Sequence, residues 1–211
     1  MSFGTELYLV RHGQSIHNQE RIIAGQLGSE LTTQGFEDAR QVARAIGRHD
    51  FDLIYSSDLH RAHQTAEILI ETLQLHCPIV TTPMLRELDY GRFTNAPVGE
   101  AAAYFDYRVD QGQTYPGGEG FHDLERRVSC FLVRLRKEGS GKRILITAHA
   151  GSIRMLLILL EPVRRGEFLV QSFGNRYLGQ MNFDQAWNLL SYRWAPDVSG
   201  ILLPEDEINK W

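Results

Sequence analysis

The hydrophobic positions of this chain alternate between two periods. Glu6-Leu7-Tyr8-Leu9-Val10 is a short apolar run that stops abruptly at Arg11-His12-Gly13, as a buried strand does when it runs into a turn. Thr32 and Thr33 offer caps for a helix with Glu37 and Asp38 in its first turn; Phe36, Ala39, Val42, Ala43 and Ile46 share one face of it, and it ends near Gly47. Leu53-Ile54-Tyr55 reads as a second strand, broken at Ser56-Ser57-Asp58, followed by a helix that places Ala62, Ala66, Leu69, Ile70 and Leu73 on one side. A weaker strand, Ile79-Val80-Thr81, precedes an amphipathic helix marked by Leu124, Val128, Phe131, Leu132 and Leu135. Ile144-Leu145-Ile146-Thr147-Ala148 is the most apolar and β-branched run and is expected to be a central strand buried on both faces, with Ile153 to Leu160 as the next helix. Tyr177 to Phe183 and Leu189 to Trp194 flank a polar Asp184-Gln185 turn and predict an antiparallel hairpin at the sheet edge.

Alternating strands and helices predict an α/β fold, a three-layer α/β/α sandwich around a mostly parallel sheet with an antiparallel edge. No repeat, low-complexity tract or linker divides the chain, so residues 1–211 are read as one domain. Residues 92–116 are its least regular stretch. Their Tyr104, Phe105, Tyr107 and Tyr115 suit a small cap insertion or, equally, a surface helix with ordinary core aromatics. Residues 196–211 read as a polar C-terminal tail apart from Ile201-Leu202-Leu203.

Charge narrows the function. With 22 Lys+Arg against 26 Asp+Glu the net charge is -4, which lacks the basic excess that a general nucleic-acid or anionic-membrane binder needs. No apolar run approaches the roughly 18 to 20 residues of a membrane span, and the start of the chain lacks a basic, then apolar, leader. A cytoplasmic protein is expected. Cys77 and Cys130 have no paired spacing and suggest neither zinc nor a disulfide. Of the basic residues 19 are Arg and three Lys, a bias that fits either genome composition or bidentate anion contacts.

In an open α/β sheet, ligands sit beyond the carboxyl ends of the strands. Three predicted strand ends carry Arg11-His12-Gly13, Ser56-Ser57-Asp58 leading to Arg61, and His149-Ala150-Gly151. A lone histidine at such a place is usually structural, but two His and two Arg converging on one sheet edge describe a site for a compact dianion such as phosphate. These residues also carry a resemblance. Arg11-His12-Gly13-Gln14-Ser15 with Asn18 and Gly25 resembles the opening signature of the histidine phosphatase superfamily, the phosphoglycerate-mutase-like family. Ser56-Ser57-Asp58-Leu59-His60-Arg61-Ala62 with Thr65-Ala66, Leu85-Arg86-Glu87-Leu88-Asp89-Tyr90-Gly91, Pro116-Gly117-Gly118-Glu119 and Thr147-Ala148-His149-Ala150-Gly151 are similar to its further motifs, in family order.

The resemblance implies a metal-independent phosphomonoesterase that needs no cofactor and takes a small phosphorylated metabolite. His12 would be the nucleophile, forming a phosphohistidine. Arg11, Arg61, Asn18 and His149 would hold the phosphoryl oxygens, with His149 protonated when phosphate is bound and the Ala150 N–H adding a donor at a helix start. The two arginines would also oppose protonation of His12. Glu87 would protonate the leaving oxygen and then deprotonate the attacking water. Without the motif, Glu87 among Arg86, Asp89 and Arg92 reads as a surface ion pair. Ser15, Ser56 and Ser57 read as turn residues or secondary phosphate donors, and His17, His60 and His63 lack the carboxylate or cysteine cluster of a metal site. Gly13 is expected to let the phosphate approach closely. Two departures fall beside the expected substrate rim: Arg92-Phe93-Thr94-Asn95 where relatives carry an aromatic, an acid and a glycine, and Gly120 where serine is frequent. A 2,3-bisphosphoglycerate-dependent phosphoglycerate mutase and a phosphate-binding regulatory module without turnover are the alternatives.

Overall fold

A computed structural model of the chain describes residues 4–104, 106, 108 and 110–198. Phe105 and Tyr107 of the expected cap, and Ile201-Leu202-Leu203 of the tail, lie outside the described residues. Among these described residues six strands form one sheet: β1 (Glu6–Arg11), β2 (Leu53–Ser57), β3 (Ile79–Thr82), β4 (Arg143–Ala148), β5 (Leu178–Phe183) and β6 (Leu189–Ala195), in the spatial order β3-β2-β4-β1-β5-β6. The first four run parallel, and β5 and β6 are antiparallel to their neighbours. This is the α/β architecture with an antiparallel edge that the pattern predicts, and the most apolar run, β4, lies between β1 and β2.

Among the described residues seven α-helices accompany the sheet: α1 (Ile16–Glu20), α2 (Thr33–Ile46), α3 (His60–Leu73), α4 (Val98–Tyr104), α5 (Phe121–Gly139), α6 (Ala150–Leu160) and α7 (Arg165–Val170). The period of two along the strands decides what packs where. Leu7, Leu9, Tyr55, Ile144, Ile146 and Met181 join the core under Leu124, Val128 and Phe131 of α5 and Ile153 and Leu157 of α6. Tyr8, Val10, Ile54, Leu145 and Leu178 face the other way, onto Val42, Ala43 and Ile46 of α2 and Leu69 of α3. Each fully buried aliphatic side chain contributes roughly 1.5–3 kcal/mol, so a shift of one residue in β1 or β4 would exchange both cores at once. No helix among the described residues is long and apolar enough to cross a membrane.

The short helices α1, α4 and α7 escape a periodicity argument because none completes enough turns to show a stripe. Thr32 caps α2 through Gly35 N–H at 3.1 Å, which puts Glu37 and Asp38 beyond the first turn. Asp38 turns back instead and accepts from Gln14 N–H at 3.1 Å. The hairpin turn is longer than two residues: Asp184 accepts from the N–H groups of both Ala186 and Asn188.

A Cβ on Gly13 would lie 2.2 Å from the Gly35 carbonyl oxygen, and one on Gly35 would lie 2.0 Å from that of Gln14. The pair lets the turn after β1 press against the start of α2, a backbone-on-backbone constraint that the sequence does not show. Gly35→Ala is expected to lower the stability by about 1–3 kcal/mol, as overpacking in a close contact does. Urea denaturation checks this, and a loss below about 0.5 kcal/mol would contradict the contact.

Candidate active site

The three strand ends meet. Arg11 ends β1 and His12 follows it, still in the ladder through a 3.0 Å bond from His12 N–H to the Ala148 carbonyl. Arg61 stands in the first turn of α3 behind β2, and His149 joins β4 to α6. Arg11, His12, Asn18, Arg61, Glu87 and Ala150 line a cavity of about 590 Å³, together with Val98 and Ala101 of α4 and with Tyr115. His149 is fully buried and sits behind His12, with the ring centroids 5.0 Å apart.

The hydrogen bonds of His12 determine which nitrogen can react. Nδ1 lies 2.8 Å from the Gly13 carbonyl, which only accepts, so Nδ1 carries the proton. The Nε2 lone pair then faces Arg61, whose Nε–H donates to it at 3.2 Å. Burial, and after it Arg61 and Arg11, hold the His12 pKa well below the usual value of 6.5. Burial is thus the larger cause, ahead of the two arginines that sequence reasoning named. His149 is lowered in the same way, again by burial first and then by Arg61. Held down in this way, both imidazoles are neutral at neutral pH, whereas the protonated His149 expected with bound phosphate would need the dianion's charge.

Arg61 is 2% exposed. Its remaining donors go to the carbonyls of Leu27 at 2.9 Å and Gly25 at 2.8 Å. Gly25 reaches that orientation with φ +51, which explains a glycine at this place in the opening motif. Burial lowers the Arg61 pKa to about 10, still cationic at neutral pH, with Glu87 opposing the shift. Arg11 donates to the Phe173 carbonyl, while its Nε is buried without a partner, as is Nδ1 of His149.

Glu87 is not a surface ion pair. Its neighbour Arg86 takes Asp58, at 2.8 and 2.6 Å, and the Glu87 carboxylate accepts from Leu88 N–H at 2.8 Å and from Gly151 N–H at 3.1 and 3.2 Å. The first turn of α6 therefore holds the carboxylate and leaves the Ala150 N–H without an intrahelical acceptor. Arg127 of α5 fixes the segment from behind. It donates to the carbonyls of Met84, Arg86 and Glu87 and forms a two-point pair with Glu119, which in turn accepts from Asp89 N–H at 3.0 Å. Sequence reasoning quoted Glu119 only as part of a glycine-rich motif and missed Arg127, one arginine among several on an amphipathic helix.

The other candidates fall into place around these. Ser15 caps α1, Ser56 donates to the Ser57 carbonyl, and Ser57 Oγ lies 2.9 Å from His149 Nε2, which orients that ring. His17 contacts Ser29 and Asn95, His60 pairs with Glu30, and His63 with Glu67. Arg92 lies 5.0 Å over the rings of Phe93 and Tyr104, so the departure after Gly91 builds an aromatic wall with Tyr90 and Tyr115. Gly120 excludes serine because a Cβ would lie 2.3 Å from the Gln113 carbonyl oxygen. Arg154, also missed, is 7% exposed, borders the cavity, and donates to the carbonyls of Phe168 and Gln171.

Comparison with known proteins defines the class. The histidine phosphatase superfamily (branch 1) matches residues 7–190, and the chain belongs to that family. It is 33% identical over 172 residues to the 2,3-bisphosphoglycerate-dependent phosphoglycerate mutase of Methylobacterium radiotolerans, covering 76% of this chain and 81% of the mutase. Among solved structures, it is similar to a mycobacterial glucosyl-3-phosphoglycerate phosphatase, with a TM-score of 0.75 and 25% identity over 96% of this chain and 97% of the other. It is likewise similar to the α-ribazole phosphatase of Shigella flexneri, with a TM-score of 0.74 and 26% identity over 85% and 91%. Family members are phosphatases and mutases, so phosphoryl transfer is the chemistry of the class.

Two consequences can be measured. Because His12 and His149 resist protonation when folded, the unfolded chain takes up protons that the native state does not as pH falls below the usual 6.5. Their contribution is whole above that value and is lost as pH falls toward the native pKa values. Between about pH 7 and about pH 5 the wild type is expected to lose urea stability faster than a His12→Gln, His149→Gln double variant; equal slopes would contradict the assignment. Arg127→Leu removes two donors from Glu119 and one from each of three carbonyls, and is expected to cost about 1–3 kcal/mol. Its kcat for phosphoryl transfer should fall at least roughly tenfold, because Glu87 loses its support.

Proposed function

We infer that this protein hydrolyses a small phosphomonoester in the cytoplasm through a phosphohistidine on His12. The observation that carries the reading is the state of that imidazole: Nδ1 is occupied by the Gly13 carbonyl, while neutral Nε2 points at a buried guanidinium on the cavity wall. A neutral imidazole with a fixed tautomer is what attack on phosphorus requires.

When the substrate arrives, Arg61 Nε–H passes from the Nε2 lone pair to a phosphoryl oxygen. Arg11, Asn18 and the Ala150 N–H bind the other oxygens, and the unpartnered Nδ1 of His149 gains a partner in the same group. Nε2 forms the bond to phosphorus as the ester oxygen leaves with a proton from Glu87. Water then attacks the phosphohistidine and gives its proton to Glu87, which restores neutral His12 and releases inorganic phosphate. Burial of Arg61 strengthens its hold on the phosphoryl charge, since little solvent screens it.

The second reading is a phosphoglycerate mutase, favoured by the 33% identity to the Methylobacterium radiotolerans enzyme. It uses the same phosphohistidine but returns the phosphoryl group to a hydroxyl of the glycerate. Helix α4, which lines the cavity through Val98 and Ala101, has only seven residues, and so short a cover favours access of water.

A metal-free panel of phosphomonoesters that includes 3-phosphoglycerate separates the two. Phosphate release that outpaces interconversion of 3- and 2-phosphoglycerate is expected; the reverse order would make the protein a mutase. His12→Ala should abolish both activities and the acid-labile, alkali-stable phosphoenzyme. Glu87→Gln should lower kcat by roughly 10²–10⁴ while the phosphoenzyme still forms from an ester with a good leaving group.

A further inference from the structure

One side chain at the site has no part in the mechanism above, although it touches two residues that do. Asn175 lies in the irregular segment between α7 and β5. Its Nδ2 donates to the His12 carbonyl at 3.0 Å and to Asn18 Oδ1 at 3.1 Å. Both partners only accept, so both amide hydrogens of Asn175 are used and its own orientation is fixed.

The consequence is felt at Asn18. Its Oδ1 also accepts from Ser15 N–H at 3.2 Å and from Ser15 Oγ at 3.1 Å. Three donors converge on that oxygen, so the Asn18 Nδ2 group must occupy the opposite end of the amide, on a residue that lines the cavity. An amide presents either a donor or an acceptor, and a 180° turn about its last torsion exchanges them. An acceptor facing a phosphoryl oxygen would repel it. The bond from Asn175 to the His12 carbonyl also fixes the backbone of the proposed nucleophile, whose N–H is already held by Ala148.

We propose that Asn175 is a positioning residue that keeps the Asn18 amide turned donor-first into the phosphoryl site and ties that orientation to the backbone of His12. The inference rests on the phosphoryl-transfer reading of the cavity but concerns binding, so inorganic phosphate suffices as the probe.

Asn175→Asp keeps the shape and replaces donors by acceptors, whereas Asn175→Ala removes the side chain and leaves Ser15 to hold Asn18. Orientation control predicts that Asp is the worse change, raising the phosphate Kd roughly tenfold against roughly two- to threefold for Ala. A packing role predicts the opposite order. The Asp effect should shrink to roughly twofold or less in an Asn18→Ala background, because the residue it acts through is gone. Persistence of the full effect there would mean plain charge repulsion and would overturn the proposal. In the wild type, phosphate should shift the side-chain amide resonances of Asn18. Binding without that shift overturns the proposal even if Asn175→Asp does not fold. Failure of the wild type to bind phosphate at all would instead overturn the phosphoryl-site reading beneath it.

Discussion

A buried guanidinium must find acceptors for its donors or its burial becomes prohibitive. Arg61 finds them in the carbonyls of Leu27 and Gly25 and in the Nε2 lone pair of His12. This third acceptor links the cation to the imidazole beside it. Burial, with Arg61 on the lone pair after it, keeps His12 neutral, and its Nδ1–H donates to the Gly13 carbonyl. The loop from residue 24 to 28 must curl over the site to deliver the other two carbonyls, which is why Gly25 adopts a positive φ. The opening motif, the start of α3 and the end of β1 are therefore one arrangement, built around keeping a cation dry.

Around that centre the restraints are mostly hydrogen bonds to backbone. Arg127 grips the carbonyls of residues 84, 86 and 87, Gly151 N–H donates to the Glu87 carboxylate, and Thr65 Oγ accepts from Gly13 N–H at 3.1 Å. Such bonds hold loops at the rim of a sheet nearly as firmly as the strands themselves, because an unmade bond to a buried backbone group costs its full desolvation. The parallel strands β1, β2 and β4 supply the rigid base, and the loops only complete it.

The net charge of -4 and the cationic site are compatible because they act over different distances. Exposed carboxylates are screened within about 8–10 Å at physiological salt, whereas the buried Arg61 faces the cavity through little solvent. The abundance of arginine as a total explains nothing. Arg61 and Arg127 matter because each engages carbonyls, carboxylate or lone pair through a planar fork that lysine lacks, and Arg11 because it lines the cavity, while Arg44, Arg126 and Arg134 merely pair with acids near the surface.

The sequence by itself determined the strands and long helices, since burial on both faces of β4 and on one stripe of α2, α3 and α5 leaves a periodic trace that no tertiary knowledge is needed to see. It also determined which residues stand at the strand ends, and through its motifs the membership in the family. The short helices left no trace, being less than two turns long or little more. Tertiary structure alone decided that Gly13 answers to Gly35, that Glu87 turns from its charged neighbours to the N-terminus of α6, that His149 lies behind His12, and that Arg127 and Asn175 serve the site. Each of these is a contact between segments far apart in the chain, made by hydrogen-bond direction and close packing. Neither depends on periodicity or spacing, so neither is written along the sequence.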